Sequence, residues 1–312
     1  MPCSRVRIAA HRCGLIPLME HQFNTIALIG KYQSPDVTES VVRLAEFLRG
    51  RSLTVLIEQG TASSTGLGVT YPVASYDEIG AKADLGVVLG GDGTMLNSSR
   101  RLAEYSVPLV GVNQGRLGFL TDVARDEVLV RIGGILDGRF IRESRGLLEA
   151  EVLRNGRRVF HSVAFNDVVV NKGEIGRMIE FDVLIDGEFV YTQRSDGIIV
   201  SSPTGSTAYA LSANGPILHP RVAGIALVPL CPHALTARPI TLPDDCSIEI
   251  VVSPPHDARV HFDGQTRFDA RSGDRVRVAR SPHTVTLLHP EGYSYFDMLR
   301  EKLHWSSSPR PF

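Results

Sequence analysis

From Asn24 onward, short apolar runs alternate with segments whose apolar residues recur every three to four positions. Thr25 to Ile29 reads as a strand. Ser34-Pro35 then supply an N-cap and first helical position for a helix with Val37, Val41, Leu44, Ala45 and Leu48 on one face and Gly50 at its end. Leu53 to Ile57 is the next strand, and the polar segment with Ser63, Ser64, Gly66 and Gly68 is assigned no element. A helix is predicted over Tyr76 to Lys82, a strand over Asp84 to Leu89, a helix over Thr94 to Tyr105 and a strand over Val107 to Val112. This alternation implies parallel strands joined by crossover helices, with ligands bound beyond the strands' carboxyl ends.

Past about Arg142 the period changes to that of strands. Asn155-Gly156 lies between Leu147–Leu153 and Arg158–Val163, and Asp186-Gly187 between Ile179–Ile185 and Glu188–Tyr191, both two-residue hairpin signals. Further strands are predicted over Gly197–Val200, Gly224–Pro229, Cys246–Val252, Ala258–Asp263, Arg275–Val278 and Thr284–Leu288. A helix over Tyr295–His304 places Phe296, Leu299 and Leu303 on one side. The fold class is therefore an α/β N-terminal domain with a parallel sheet plus a β-rich, sandwich-like C-terminal domain, closed by a C-terminal helix.

The length of 312 residues suits two domains. The expected division is a disordered tail over 1–22, an α/β domain over 23–141 joined by the segment 291–312, and a β-rich domain over 142–290. The tail's apolar residues are interrupted by His11, Arg12 and Pro17, a poor signal peptide, and Met19 offers an alternative start. Lys and Arg total 33 against 34 Asp and Glu, which argues against nucleic acid or membrane partners recruited by bulk charge. No apolar run approaches the roughly 18 residues that span a bilayer; the best, Ile225 to Cys231, contains Pro229. Cys3, Cys13, Cys231 and Cys246 are scattered without zinc spacing, so a soluble, cytoplasmic protein without a disulfide framework is expected. The ten histidines form no metal-ligand pair at helical spacing.

Candidate chemistry begins at Gly90-Gly91-Asp92-Gly93-Thr94, where a strand ends in a carboxylate among residues too small to shield it. Glycines let phosphates approach main-chain N–H groups, and Asp92 can accept a proton; an ordinary Gly-Asp turn is the competing reading. Asn113, in the loop running to Gly118-Phe119-Leu120, lies at the same sheet edge. Ser201-Ser202-Pro203-Thr204-Gly205-Ser206-Thr207 offers hydroxyls and N–H groups to an anion, or is a Ser/Thr-rich turn. Asn166-Asp167 puts an amide and a carboxylate beside apolar strand residues, or is a strand-end cap. Arg194-Ser195-Asp196-Gly197 is either a binding element or a turn with a local ion pair. No GxxxxGK[ST] and no GxGxxG opens the first strand-helix unit, which excludes an ordinary P-loop enzyme and a standard hydride-transfer Rossmann enzyme.

In this order, these motifs resemble the NAD kinases, which transfer the terminal phosphate of ATP to NAD; Gly215-Pro216-Ile217 and Tyr293-Ser294-Tyr295-Phe296 are similar to the bacterial branch. The resemblance implies an ATP-binding α/β domain, a β-rich NAD-binding domain, a site between them, and a homodimer or homotetramer. It implies that Asp92 is the proton acceptor. Asp92, Gly93, Asn166, Asp167, Arg177, Arg194, Asp196, Thr207, Ala208, Tyr209, Ala210, Leu211, Ser212 and Gln265 would border NAD. Gly90, Gly91, Gly93, Ser202, Thr204, Gly205 and Ser206 would hold ATP phosphates, with Asn113 and Phe119 as further pocket residues. Mg²⁺, held mainly through ATP oxygens rather than by protein ligands, is the implied cofactor. Many relatives carry Asn-Glu where this chain has Asn166-Asp167; Asp is one methylene shorter and keeps the charge. An Arg at position 194 accompanies preference for NAD over NADH in similar enzymes. A lipid or sugar kinase with a Gly-Gly-Asp-Gly loop explains the Asn166-Asp167 and Ser202 to Tyr209 combination less well, and a silent dinucleotide sensor would lack Asp92.

Overall fold

The computed structural model describes residues 23–31, 35–115, 118–173 and 178–305. The tail over 1–22, Arg116, Leu117 and Arg177 lie outside the described residues. The N-terminal part runs β1 (Thr25–Gly30), α1 (Pro35–Gly50), β2 (Thr54–Glu58), α2 (Gln59–Thr65), β3 (Val73–Ala74), α3 (Tyr76–Lys82), β4 (Leu85–Leu89), α4 (Asp92–Leu102), β5 (Leu109–Asn113), β6 (Val123–Ala124) and α5 (Val128–Leu136). The remainder is β7 (Phe140–Arg154), β8 (Arg157–Ala164), β9 (Asp167–Lys172), β10 (Ile179–Ile185), β11 (Glu188–Ser195), β12 (Gly197–Ser201), α6 (Tyr209–Ser212), β13 (Gly224–Leu230), β14 (Ile240–Pro243), β15 (Ile248–Val252), β16 (Ala258–Phe262), β17 (Thr266–Ala270), β18 (Arg275–Pro290) and α7 (Tyr295–Leu303).

The first five strands form a parallel sheet in the order β3-β2-β1-β4-β5, buried on both faces as their continuous apolar runs require. Its order reverses between β1 and β4, so a crevice opens beyond the carboxyl ends of these two strands. The β-rich part is a sandwich. One sheet, β14-β13-β12-β9-β16-β17, packs Val168, Val170, Ile198, Val200, Val260 and Phe262 against Leu148, Val152, Phe181, Ile250 and Val278 of the other.

The second sandwich sheet is continuous with the parallel sheet. β18 pairs antiparallel with β15 and β7 and, through Leu287 and Leu109, parallel with β5. The segments Arg275–Val278 and Thr284–Leu288, predicted as two strands, are thus one 16-residue strand. Pro282 breaks the pattern, and the chain absorbs it as a register shift between Arg280 and Thr284. Both predicted hairpins form, with Asn155, Gly156, Asp186 and Gly187 at positive φ.

Other departures have local causes. α2 falls in the polar segment left without an element; its N-terminus is held by Glu58, which accepts from the N–H groups of Gly60 (2.9 Å) and Thr61 (2.8 Å). α5 carries Gly133-Gly134, which weakens a helical pattern, yet Gly133 lies where the Phe47 ring of α1 packs closely. β14 and β17 alternate half-buried and exposed residues and give no apolar run. α4 starts at Asp92, two residues before the predicted start, so Asp92 belongs to the first helical turn.

Candidate functional site

Asp92 is seated rather than free. Its Oδ2 accepts from the N–H of Phe119 (2.9 Å), and its Oδ1 from the N–H of Leu120 (3.0 Å) and the Thr121 hydroxyl (3.3 Å). Thr121 Oγ1 also accepts from Asn113 Nδ2 (3.0 Å), and Asn113 Oδ1 accepts from the N–H of Gly115 (2.6 Å). Asn113 is buried, so it and Phe119 act as the frame that orients Asp92. A Cβ on Gly118 would stand 2.0 Å from Asp92 Oδ1. Only glycine lets the loop close on the carboxylate.

The distant motifs converge on this helix start through a turn that sequence reasoning did not single out. Asp263, between β16 and β17, accepts from the N–H groups of Phe165 (2.9 Å), Asn166 (2.8 Å) and Asp167 (3.1 Å). Its fully buried carboxylate lies 3.3 Å from Nε of Arg100 on α4. Arg100 also donates to Gln265 Oε1 (2.6 Å), and Gln265 Nε2 donates to the carbonyl of Gly93 (2.7 Å). The Asp263-Gly264 pair at positive φ was the available signal, since a Gly after Asp marks a turn.

The Ser/Thr loop is stitched to the same place. Ser202 N–H donates to the Asn166 carbonyl (2.8 Å), and a Cβ on Gly205 would stand 2.1 Å from that oxygen. Ser202 Oγ donates to the Phe165 carbonyl (2.6 Å), and Ser206 Oγ to that of Pro203 (2.6 Å) while accepting from Leu218 N–H (2.9 Å). Ser202, Thr204 and Ser206 are buried, and the N–H groups of Ser202, Gly205 and Ser206 are bonded within the protein as well, so hydroxyls and backbone together build the loop.

Two cavities are lined from this joint, one by Gly93 and the other by Asp263 and Gly264. One, of about 430 Å³, is the switch-point crevice, lined by Gly30, Lys31, Glu58, Gly91, Gly93, Thr94, Asn97 and Arg101. Arg101 stacks over the Tyr76 ring at 4.1 Å, which leaves Lys31 and Arg101 as cations at its wall. The other, of about 310 Å³, is lined by Asn166, Asp167, Asn171, Ala208, Tyr209, His261, Asp263 and Gly264. The Gln265–Gly93 contact lies between them.

Burial, reinforced by the neighbouring Asp263 charge, raises the Asp167 carboxyl from 3.8 to about 7. With a value of about 7, Asp167 is partly the neutral acid near neutral pH and can then donate. Burial also raises Asp263, opposed by its three N–H donors and Arg100.

Ala208 and the exposed Tyr209 line the second cavity, Thr207 is half-buried and Ser212 exposed, while Ala210 is fully buried in a small core with Val169 and Ile199. Leu211 is half-buried. Arg194 is exposed on β11. Asp196 does not pair with it but accepts from Lys172 Nζ at 2.8 Å. Gly90 sits against Thr94 inside the motif, whereas Gly91 faces open space. Among the described residues no group of His, Cys, Asp and Glu side chains is arranged to hold a metal ion, and no helix is long and apolar enough to cross a membrane.

Two family models match the chain, the ATP-NAD kinase N-terminal domain over residues 26–140 and the ATP-NAD kinase C-terminal domain over residues 165–289. An NAD kinase of Aromatoleum aromaticum is 72% identical over 294 residues, covering 94% of this chain and 98% of that protein. One of Thiobacillus denitrificans is 51% identical, covering 92% and 99%. In fold, the chain is similar to a yeast NADH kinase complexed with NADH (TM-score 0.85, 24% identity, 95% of each chain). It is also similar to an Archaeoglobus fulgidus NAD kinase in complex with ATP (TM-score 0.72, 24% identity, 90% of this chain and 98% of that one). Since both of its halves match and near-full-length relatives exceed half identity, the chain belongs to the ATP-NAD kinase family.

Proposed function

We propose that this kinase transfers the terminal phosphate of ATP to the 2′-hydroxyl of the adenosine ribose of NAD, giving NADP and ADP. The observation that carries this reading is that Gly93, next to Asp92, lines a cavity at the switch point of a parallel sheet and is bonded through Gln265 to the turn that lines a second cavity beside Asn166-Asp167. ATP takes the first, with Lys31, Arg101 and the backbone around Gly91 and Gly93 facing its phosphates. NAD takes the second, with Asn166, Asp167, Tyr209 and Gln265 around its adenosine and Arg194 and Asp196 toward its other half; the resemblance adds Arg177 to the NAD-binding residues. On this division, residues 23–141 with 291–312 serve ATP and residues 142–290 serve NAD, except that the loop of Ser202, Thr204, Gly205 and Ser206 is assigned to the ATP phosphates.

A ribose hydroxyl is a poor nucleophile at neutral pH, so a fixed carboxylate that takes its proton during attack lowers the barrier. Asp92 has about four acceptor positions, of which Phe119, Leu120 and Thr121 take three; the remaining one serves the hydroxyl. As the ribose oxygen bonds to the terminal phosphorus, the bond to ADP breaks and the proton passes to Asp92. The crevice wall offers two cations and few oxygen ligands, which fits Mg²⁺ carried by the phosphate oxygens of ATP. When bound, Mg²⁺ supplies neutralisation of phosphate charge.

The enzyme is proposed to act in the cytoplasm as a homodimer or homotetramer, following the bacterial kinases it resembles. The test of function is purified protein with NAD, ATP and Mg²⁺, coupled to an NADP-specific dehydrogenase. ATP-dependent NADP formation is expected. Its absence across metals and phosphate donors would overturn the assignment.

A further inference from the structure

A buried chain of charges runs outside the two cavities. His289 on β18 presents Nδ1 to Asp122 Oδ2 (2.8 Å) and Nε2 to Glu143 Oε2 (3.1 Å), and its ring stacks on Tyr293 at 3.8 Å and 8°. Glu143 accepts in turn from Arg145 Nε (2.8 Å), and Arg145 Nη1 reaches Thr204 Oγ1 (3.3 Å). The His289 and Arg145 side chains are 3% and 4% exposed, so water does little to screen the chain. Its two ends matter. Asp122 follows directly on the Phe119-Leu120-Thr121 loop that seats Asp92, and Thr204 lies in the loop stitched to Asn166.

We propose that His289 is a positioning residue that ties the loop seating Asp92 to the loop carrying Thr204, through Asp122 on one side and Glu143 with Arg145 on the other. Both ring nitrogens face carboxylates, and both can donate only when the ring is doubly protonated. The cluster is then neutral, with Asp122 and Glu143 balanced by His289 and Arg145; Tyr293, the other titratable group against the ring, stays a neutral phenol because burial raises it. Loss of the imidazole proton would turn a lone pair toward a carboxylate and leave one buried negative charge uncompensated. Burial works against the His289 charge, but the bonds to Asp122 and Glu143 outweigh it and raise the ring above 6.5. Glu143, which burial alone would raise, is brought down to about 2 by His289 and Arg145.

The sign follows. A raised imidazole stabilises the tie below its ordinary value, and that stabilisation is lost as pH rises through the folded value. Resting on the kinase reading above, with the Thr204 loop at the ATP phosphates, KM for ATP should rise on the alkaline side while KM for NAD stays flat.

The test joins two readouts on the full chain. Ring ¹⁵N shifts of His289, identified by contact with the Tyr293 ring and followed across pH, are expected to show a doubly protonated ring whose midpoint lies above 6.5; a midpoint at or below 6.5 would overturn the proposal. His289→Gln mimics the neutral ring, and its KM for ATP is expected to be about tenfold higher than that of the wild type below the ring midpoint, the scale of one lost charge-assisted hydrogen bond, and independent of pH. An unchanged KM, or an alkaline rise that survives in the variant, would overturn it. Should His289→Gln fail to fold, the wild-type midpoints decide: coincidence of the ring titration with the KM rise supports the tie, and a separation of more than about one unit contradicts it. A protein that forms no NADP would refute the kinase reading, while the ring shifts judge the charge of His289 without turnover.

Discussion

At Gly118 a single hydrogen atom in place of a side chain decides whether Asp92 can be held. Gly118→Ala would force its Cβ into Asp92 Oδ1, so loop and carboxylate must part. The expected result is a fall in kcat of about a hundredfold, the scale of a misplaced catalytic group, with the circular dichroism spectrum kept. Asp167 makes a different statement at the same scale. Because its folded value of about 7 exceeds 3.8, the folded chain binds more protons in that window and loses stability as pH rises from about 4 to about 7. The loss is on the order of 4 kcal/mol for a shift of this size. Asp167→Asn is expected to flatten this slope and to be the more stable protein above pH 7 in urea titrations; parallel pH profiles would rule the raised carboxyl out. On the reading that Arg194 favours NAD over NADH, Arg194→Gly is expected to raise NADH turnover relative to NAD, read as the ratio of kcat/KM values.

Among the elements, α4 and the β16–β17 turn form the joint that holds the two cavities in register. Arg100→Ala would leave the fully buried Asp263 carboxylate without its cation, a change that costs about 3–5 kcal/mol when a buried pair is broken. Chemical denaturation should show that loss, and Arg100→Lys should restore part of it. The strand and helix periods announced most elements and the hairpin turns, because apolar spacing and Asn-Gly or Asp-Gly pairs are local signals. α2 was silent in the sequence because its stability comes from the Glu58 cap and not from its Ser/Thr composition. The unity of β18 was hidden because Pro282 breaks the local pattern while pairing with β7 on both sides of the shift keeps the strand whole. The motifs around Asp92, Asn166 and Ser202 were legible as chemistry. Their convergence was not, since it depends on Asp263 and Arg100, whose separation along the chain exceeds any local pattern.

For the molecule as a whole, β18 couples the parallel sheet to the sandwich, and the ligand cavities open on either side of the helix start that this frame supports. Asp263, bonded to the N–H groups of Phe165, Asn166 and Asp167 and paired with Arg100 of α4, holds Asn166-Asp167 against the helix that carries Asp92, so on the kinase reading regiochemistry on the ribose follows from position rather than from the strength of the base. The most direct measurement is single-turnover NADP formation by wild type and Asp92→Asn in parallel, with ATP and NAD saturating and NAD binding checked separately. Rapid NADP formation by wild type and at least about a hundredfold slower formation by the variant, with NAD still bound, is the expected result. Equal rates, or no NADP from the wild-type chain, would contradict it.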